Sequence, residues 1–343
     1  MIGRAMLDKF IEVSIALLCC LALVACDRDK TTAQAGAQPP AAATESVAPK
    51  LSFPPDNSSV PTIDSNRAMK YVKEIVAYGP RPLGSANHKK VEDYLLAHLK
   101  GDVVENDVFT ADTPEGKFPV HNIIAKFPGK KDGIVVIASH YDTNYPLRNI
   151  AYVGANDGGS SSALLLELTN QLRSKTRDGY SIWLVWDDAE EAMKPDTETP
   201  FMDDSLYGIT HLAEKWQADG TLKKIKAFIL ADMIGDADLN VDRDTNSTPW
   251  LEDVVYEAAT RLGYQSHFFA RTLPGVSDDH IPFVKRGVPS ADLIDFDYGY
   301  NDVFWHTTQD TVDKLSPKSL EIVGSTILET AGILDRMEPL PPK

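Results

Sequence analysis

The sequence predicts an α/β fold, a three-layer sandwich in which a mixed, mostly parallel central sheet is flanked by helices. Two observations lead there. Apolar, β-rich runs of strand length occur at residues 103–109, 121–127, 134–139, 181–186, 227–232 and 289–294. Segments of helical period interleave with them at 161–172, 206–216, 251–262 and 320–334. Strands alternating with helices bury both sheet faces, which favours parallel pairing. In such sheets ligands collect beyond the carboxyl ends of the strands, so the residues that follow each strand carry the functional information.

In chain order, Met69, Tyr71, Val72, Ile75 and Val76 fall at helical spacing and break at Gly79-Pro80. A second helix is marked by Val91, Tyr94, Leu95 and Leu99. The run 134–139 is β-branched and apolar throughout, as expected of a central strand buried on both faces. Trp183, Trp186 and Trp216 sit at core spacing and read as packing.

The chain has 343 residues, 43% of them hydrophobic, enough for one large core. Its formal net charge of −16 argues against nucleic acid as a partner. The N-terminus carries Arg4 and Lys9 before an apolar run over residues 11–25, the pattern of a secretory signal, and is short for a membrane span. Leu23-Val24-Ala25-Cys26 resembles a bacterial lipobox, in which the cysteine is lipidated after cleavage. The expected organisation is a lipoprotein signal peptide over 1–25, a flexible tether over 26–60, rich in Ala, Thr, Pro, Gln and Ser, and a catalytic domain over 61–338. A monomer anchored by lipid to a membrane of the bacterial cell envelope, on its periplasmic or extracellular side, is expected. All three cysteines, Cys19, Cys20 and Cys26, lie in the first part of the chain, so a metal in the catalytic domain must be held by histidine and carboxylates.

Such residues follow the predicted strands. His140-Tyr141-Asp142 follows 134–139, and Asp142, two residues on, can reach the His140 ring and fix its tautomer. Gly154-Ala155-Asn156-Asp157-Gly158-Gly159 packs three glycines around one carboxylate before an apolar helix, which lets backbone approach closely and points Asp157 into a cavity; the alternative is an Asp turn capping that helix. Asp187-Asp188-Ala189-Glu190-Glu191 puts four acids within five residues at the end of a hydrophobic strand, a crowding that is unfavourable without a cation. Of two adjacent glutamates, one can bind metal while the other moves a proton. Asp232 ends another apolar strand. Further on come Asp278-Asp279-His280 and Trp305-His306-Thr307. His280 precedes an apolar stretch and reads as a packed, hydrogen-bonded histidine; His306 has the better claim as a ligand.

Taken in order, Ser139-His140-Tyr141-Asp142, the segment 154–159, Glu190-Glu191, Asp204-Ser205-Leu206-Tyr207-Gly208, Asp279-His280-Ile281-Pro282-Phe283 and Trp305-His306-Thr307 resemble the superfamily that unites metallopeptidase family 28 with the glutaminyl-peptide cyclotransferases. The resemblance runs from about residue 65 to 335 and implies the zinc-aminopeptidase-like sandwich. It also implies Asp157, Glu191 and His306 as ligands of one zinc. His140 and Asp232 match the extra ligands of two-zinc peptidases, but the cyclases keep both, so the count stays open between one and two. Glu190 would move the proton, Asp232 and Asp279 would hold the intermediate, and Trp305 would wall the substrate side chain.

The stretch 204–213, the run 278–289 and Trp305 lean toward the cyclases, whereas Asn156-Asp157-Gly158-Gly159-Ser160 reads more like the peptidases. The implied function is cyclisation of N-terminal glutamine of peptides or proteins to pyroglutamate with release of ammonia. The alternative is a two-zinc aminopeptidase hydrolysing N-terminal residues. A binding protein that has lost catalysis is a third possibility, and the retained crowd of costly carboxylates argues against it.

Overall fold

A computed structural model describes residues 51–55, 62–173, 175–195, 197–337 and 339–341. The expected signal segment, Cys26 and most of the tether lie outside the described residues. In chain order the elements are α1 (Ser65–Val76), α2 (Ala86–His98), β1 (Val103–Thr113), β2 (Gly116–Phe127), β3 (Gly129–His140), α3 (Gly159–Leu172), β4 (Arg177–Asp187), α4 (Tyr207–Ala218), β5 (Ile225–Asp232), β6 (Val241–Asp244), α5 (Pro249–Leu262), β7 (Phe268–Leu273), α6 (Ile281–Val284), β8 (Ser290–Ile294) and α7 (Pro317–Arg336). Side chains cap the starts of the first two helices: Asp64 accepts from the Arg67 amide and Ser85 from that of His88.

The six predicted strands form one sheet in the order β1-β2-β4-β3-β5-β8. β1, β2 and β4 pair antiparallel, while β4, β3, β5 and β8 run parallel. Residue alternation sorts the two faces. Val135 and Ile137 of β3, Leu184 and Trp186 of β4, and Ile229 and Ala231 of β5 join the core shared with α1, α3, α5 and α7. Val136 and Ala138 of β3, Val185 of β4, and Phe228 and Leu230 of β5 point the other way, toward α4 and the segment around Phe283. Trp216 and Phe283 fill that second layer, with Phe283 stacked on Phe228 at 4.1 Å between ring centroids. Truncating a buried residue of β3 such as Ile137 to alanine would cost about 2–5 kcal/mol.

Three features depart from the sequence expectation. β6 and β7 form a separate two-stranded parallel pair that was not anticipated, because Val-Asp-Arg-Asp and Phe-Phe-Ala-Arg-Thr-Leu lack a sustained apolar alternation. α6 is a single turn, below the length at which periodicity is readable. The third concerns the stretch read from composition as tether. Near its end, Leu51 and Phe53 pack against the core, and the carbonyl of Pro54 accepts from Arg261 Nη2 at 2.6 Å. Among the described residues no helix is long and apolar enough to cross a membrane.

The parallel strands end together. His140 at the end of β3 pairs with Asp187 at the end of β4, and Asp232 at the end of β5 pairs with Ile294 at the end of β8. Chemistry-bearing residues from different parts of the chain are thereby delivered to one rim.

Candidate active site

Asp157 is the hub. Its Oδ1 lies 3.2 Å from His140 Nε2 and its Oδ2 lies 3.2 Å from His306 Nε2, which in turn is 3.4 Å from Glu191 Oε2. His140 Nε2 is also 3.2 Å from Asp232 Oδ1. Two donor groups result, Asp157–Glu191–His306 and His140–Asp157–Asp232, and within each the donor atoms lie within 4.8 Å of one another. The first group leaves Glu191 Oε1 buried with no hydrogen-bond partner. A buried carboxylate oxygen without a partner is costly, and a cation would satisfy it. Three nitrogen and oxygen donors, with no thiolate among them, fit an open divalent zinc site.

Local structure aims these side chains. Gly158 has φ +68°, and a Cβ there would stand 2.8 Å from His140 Cε1, so only glycine lets the Asp157 loop close over the imidazole. Ala189, Met233 and His306 have φ between +47° and +58°, an uncommon state for residues with side chains, and each borders the site. Asp142 holds three partners at once. Its carboxylate accepts from the amides of Glu190 and Glu191 at 3.3 and 3.4 Å, and its Oδ1 lies 3.4 Å from His140 Nδ1. Asp142 is therefore beside the His140 ring as expected, although Nδ1 has no well-formed hydrogen bond.

Charges here are strongly displaced. Burial opposes a charge on His140, yet Asp232, Asp142 and Asp157 together hold its pKa well above the ordinary value. Burial pushes the Glu190 carboxyl well up, against the pull of His140 and reinforced by Asp278 and Glu191. Asp157 goes the other way: burial is outweighed by hydrogen bonds from the two imidazoles, and its pKa is lowered.

A cavity of about 530 Å³ opens over this rim, lined by Asp157, Glu190, Glu191, Asp232, Trp305 and His306 among others. Trp305 stacks on the His306 ring at 4.3 Å and meets Phe296 edge-on at 5.6 Å, making one apolar wall. The structure differs from the sequence reading at the acidic pair. Asp278 lines the cavity, whereas Asp279 is fully buried and faces Asp187, with no other hydrogen-bond partner reaching the oxygens of either carboxyl. Burial raises the pKa of Asp187 to about 6 and that of Asp279 well above its usual range, with the neighbouring Asp187 reinforcing the latter. Glu190, Asp278 and Asp279 each place an oxygen within 4.8 Å of the others. His280 is fully buried between Asp244 and Asp292, 3.1 Å from the first; both its ring nitrogens lack a well-formed hydrogen bond, unlike the hydrogen-bonded histidine expected, and the three residues make a separate donor group within 4.8 Å of one another.

Several supports were not found in the sequence. Arg81 is completely buried and donates to the carbonyls of Tyr141, Val153, Gly154 and Asp157. Asp310 accepts the amides of Asn156 and Asp157 at 2.8 and 3.2 Å, and Tyr298 donates to it. Tyr152 donates to Asp157 Oδ2 at 2.5 Å, and Asn144 to Glu191 Oε2 at 2.8 Å. Asp310, four residues beyond His306, is the one that proximity in sequence could have suggested.

Comparison with known proteins identifies the family. The family model for Peptidase family M28 matches residues 122–331. A glutaminyl-peptide cyclotransferase of Drosophila melanogaster is 29% identical over 76% of this chain and 80% of its own. The solved structure of a glutaminyl cyclase from an Acidobacteriales bacterium is 48% identical, with a TM-score of 0.78 over 83% of this chain and 99% of that one. A Zn-dependent exopeptidase from Parabacteroides distasonis has a similar structure, 28% identical with a TM-score of 0.72 over 80% of this chain and 99% of its own. The chain belongs to Peptidase family M28 and, within it, groups with the glutaminyl-peptide cyclotransferases.

Proposed function

We propose that this chain is a zinc-dependent glutaminyl-peptide cyclotransferase that closes the N-terminal glutamine of peptides and proteins into pyroglutamate and releases ammonia. The observation that carries the reading is the placement of Glu190. Its buried carboxyl, held ready to carry a proton, lines the same cavity as the Asp157–Glu191–His306 donors and the Trp305 wall. Asp157, Glu191 and His306 would hold the zinc, which when bound supplies Lewis-acid polarisation of the glutamine γ-carbonyl.

The rest belongs to side chains. Trp305 and Phe296 would pack the glutamine methylenes and keep water from the carbon of the γ-carboxamide. The substrate's α-amine attacks that carbon, Glu190 accepts the proton the amine loses, and the same carboxyl returns it to the departing nitrogen, so that ammonia leaves neutral. Asp278 lines the same cavity and would accept a hydrogen bond from the departing nitrogen, with Asp279 and Asp187 beside it. Asp232 fixes His140 and borders the tetrahedral centre.

A second reading, a two-zinc aminopeptidase, is favoured by one observation: His140 and Asp232 join Asp157 in a second donor group. There Glu190 would take its proton from a water molecule. Incubation with a glutaminyl peptide and a leucyl peptide separates the two. The first reading expects ammonia and a pyroglutamyl product from the glutaminyl peptide and no free amino acid from either; free leucine or glutamine without ammonia would establish the second.

The N-terminal segment completes the proposal: an envelope enzyme, monomeric and anchored by a lipid on Cys26. In a bacterial host, Cys26→Ser should move the protein from the membrane fraction to the soluble one. An unchanged membrane fraction would remove the lipid anchor from the account.

A further inference from the structure

Glu190 does not sit on a strand; it follows a turn whose shape must be enforced. β4 ends at Asp187, and Ala189 then takes φ +58° before Glu190 and Glu191 reach the cavity. A non-glycine residue in that conformation persists only where its surroundings over-determine it. On the far side of Ala189 the restraint is Asp142, which accepts both glutamate amides. On the near side it is Asp188, whose amide donates to Asn122 Oδ1 at 3.1 Å and whose Oδ2 accepts the His121 amide at 2.9 Å. The remaining oxygen, Oδ1, meets His88 Nε2 at 2.6 Å.

His88 comes from the first turn of α2, 100 residues away in sequence, and is buried. Its ring also stacks on Tyr141, the neighbour of His140, at 5.1 Å and 20° between planes. One imidazole therefore touches the exits of both β3 and β4. Burial disfavours charge on that ring, yet Asp188 outweighs burial and raises its pKa, as an engaged ion pair requires.

We propose that His88 is a positioning residue for Glu190: by closing on Asp188 while stacked on Tyr141, it fixes the left-handed turn at Ala189 that aims the Glu190 carboxyl into the cavity. The inference rests on Glu190 being the proton carrier proposed above. It assigns His88 no contact with substrate or metal, and so predicts a defect in turnover rather than in substrate affinity or zinc content.

The test measures kcat, KM, bound zinc and thermal midpoint for the zinc-loaded enzyme and its variants with a glutaminyl peptide. His88→Leu should lower kcat by roughly 100-fold, the scale of a misplacement of about 1 Å, with KM and zinc content little changed. His88→Gln, whose amide can donate to Asp188 from nearly the same place, should recover most of that loss. Val91→Ala, a core truncation on the same helix, should lower the midpoint and leave kcat alone. If His88→Leu does not fold, Asp188→Asn takes its place and should show the same split between kcat and KM. A His88→Leu enzyme that behaves like Val91→Ala, losing stability but not kcat, overturns the inference. Full activity in Glu190→Gln overturns the function reading itself, and this one with it.

Discussion

Asp157 shows how much one side chain can be asked to do: it faces two imidazoles and accepts from a tyrosine, and its loop amides are held by Asp310. Its place depends on the glycine that follows. Gly158→Ala would force a Cβ into contact with His140 at a backbone angle that alanine adopts only with strain, and should cost about 1–3 kcal/mol of stability together with most of the activity. Chemical denaturation and turnover of a glutaminyl peptide check both. Glu190→Gln should lower kcat by about 10²–10⁴-fold with zinc content and midpoint nearly unchanged, because the loss is of proton transfer alone.

Residues such as Asp157, Glu191 and His306 were legible because each follows a recognisable strand or turn, and the wording of those turns is itself specific. Arg81 was not, because the Asp157 carbonyl it reaches lies 76 residues away in sequence and nothing local marks the contact; Asp310, whose partner amide on Asp157 lies 153 residues away, had only its closeness to His306 to point to it. The sequence did not separate Asp279 from Asp278 for a related reason. Two adjacent aspartates look alike on paper, and only the turn into α6 decides which faces the cavity and which faces Asp187.

Among the elements, the central strands were easiest to foresee, since burial on both faces leaves an unbroken apolar run. β6 and β7 escaped because a short pair outside the main sheet needs no such run. The connection between α1 and α2 is less conspicuous and more consequential. Flanked by prolines, it carries Arg81, whose guanidinium ties the exit of β3 to the Asp157 loop through four carbonyls. Arg81→Lys keeps the charge and loses the planar fork that reaches several acceptors at once. It should destabilise the protein by about 2–4 kcal/mol, by leaving buried carbonyls and a buried ammonium poorly paired. A urea titration monitored by tryptophan fluorescence measures it, and a change below about 0.5 kcal/mol, ordinary for a surface substitution, would deny Arg81 this role.

For the whole molecule, the excess of acid has a pH signature. Burial raises the pKa of Asp295 and Glu252 to about 7 each. A carboxyl that holds its proton more tightly in the folded state favours folding most below its unfolded pKa, and that contribution is lost as pH rises through the folded one. Glu92 has the opposite sign. Burial alone would raise its pKa, but hydrogen bonds to His121 and Lys89 lower it to about 2, so its contribution is present at neutral pH and lost in strong acid. The thermal midpoint should therefore fall between about pH 5 and pH 8, and Asp295→Asn should flatten that slope; a midpoint that rises over this interval would contradict the assignment. Zinc acts in the same balance, since a cation among Asp157, Glu191 and His306 offsets carboxylate repulsion that the metal-free protein must bear. Chelation should lower the midpoint, by the equivalent of about 4 kcal/mol where zinc had been present at roughly a thousand times its Kd.

The functional expectations turn on donors from the 154–159 loop, the β4 exit and the segment after β8 forming one metal centre. The most direct measurement is an anomalous difference map at the zinc edge, from crystals of the zinc-loaded protein holding a glutamine mimic. The account predicts a peak within ligand distance, about 2.0–2.2 Å, of Asp157, Glu191 and His306, with the mimic's carbonyl turned toward it and Glu190 beside its amine. A map with no peak among those three side chains, or with zinc held elsewhere and the mimic away from Glu190, would contradict it.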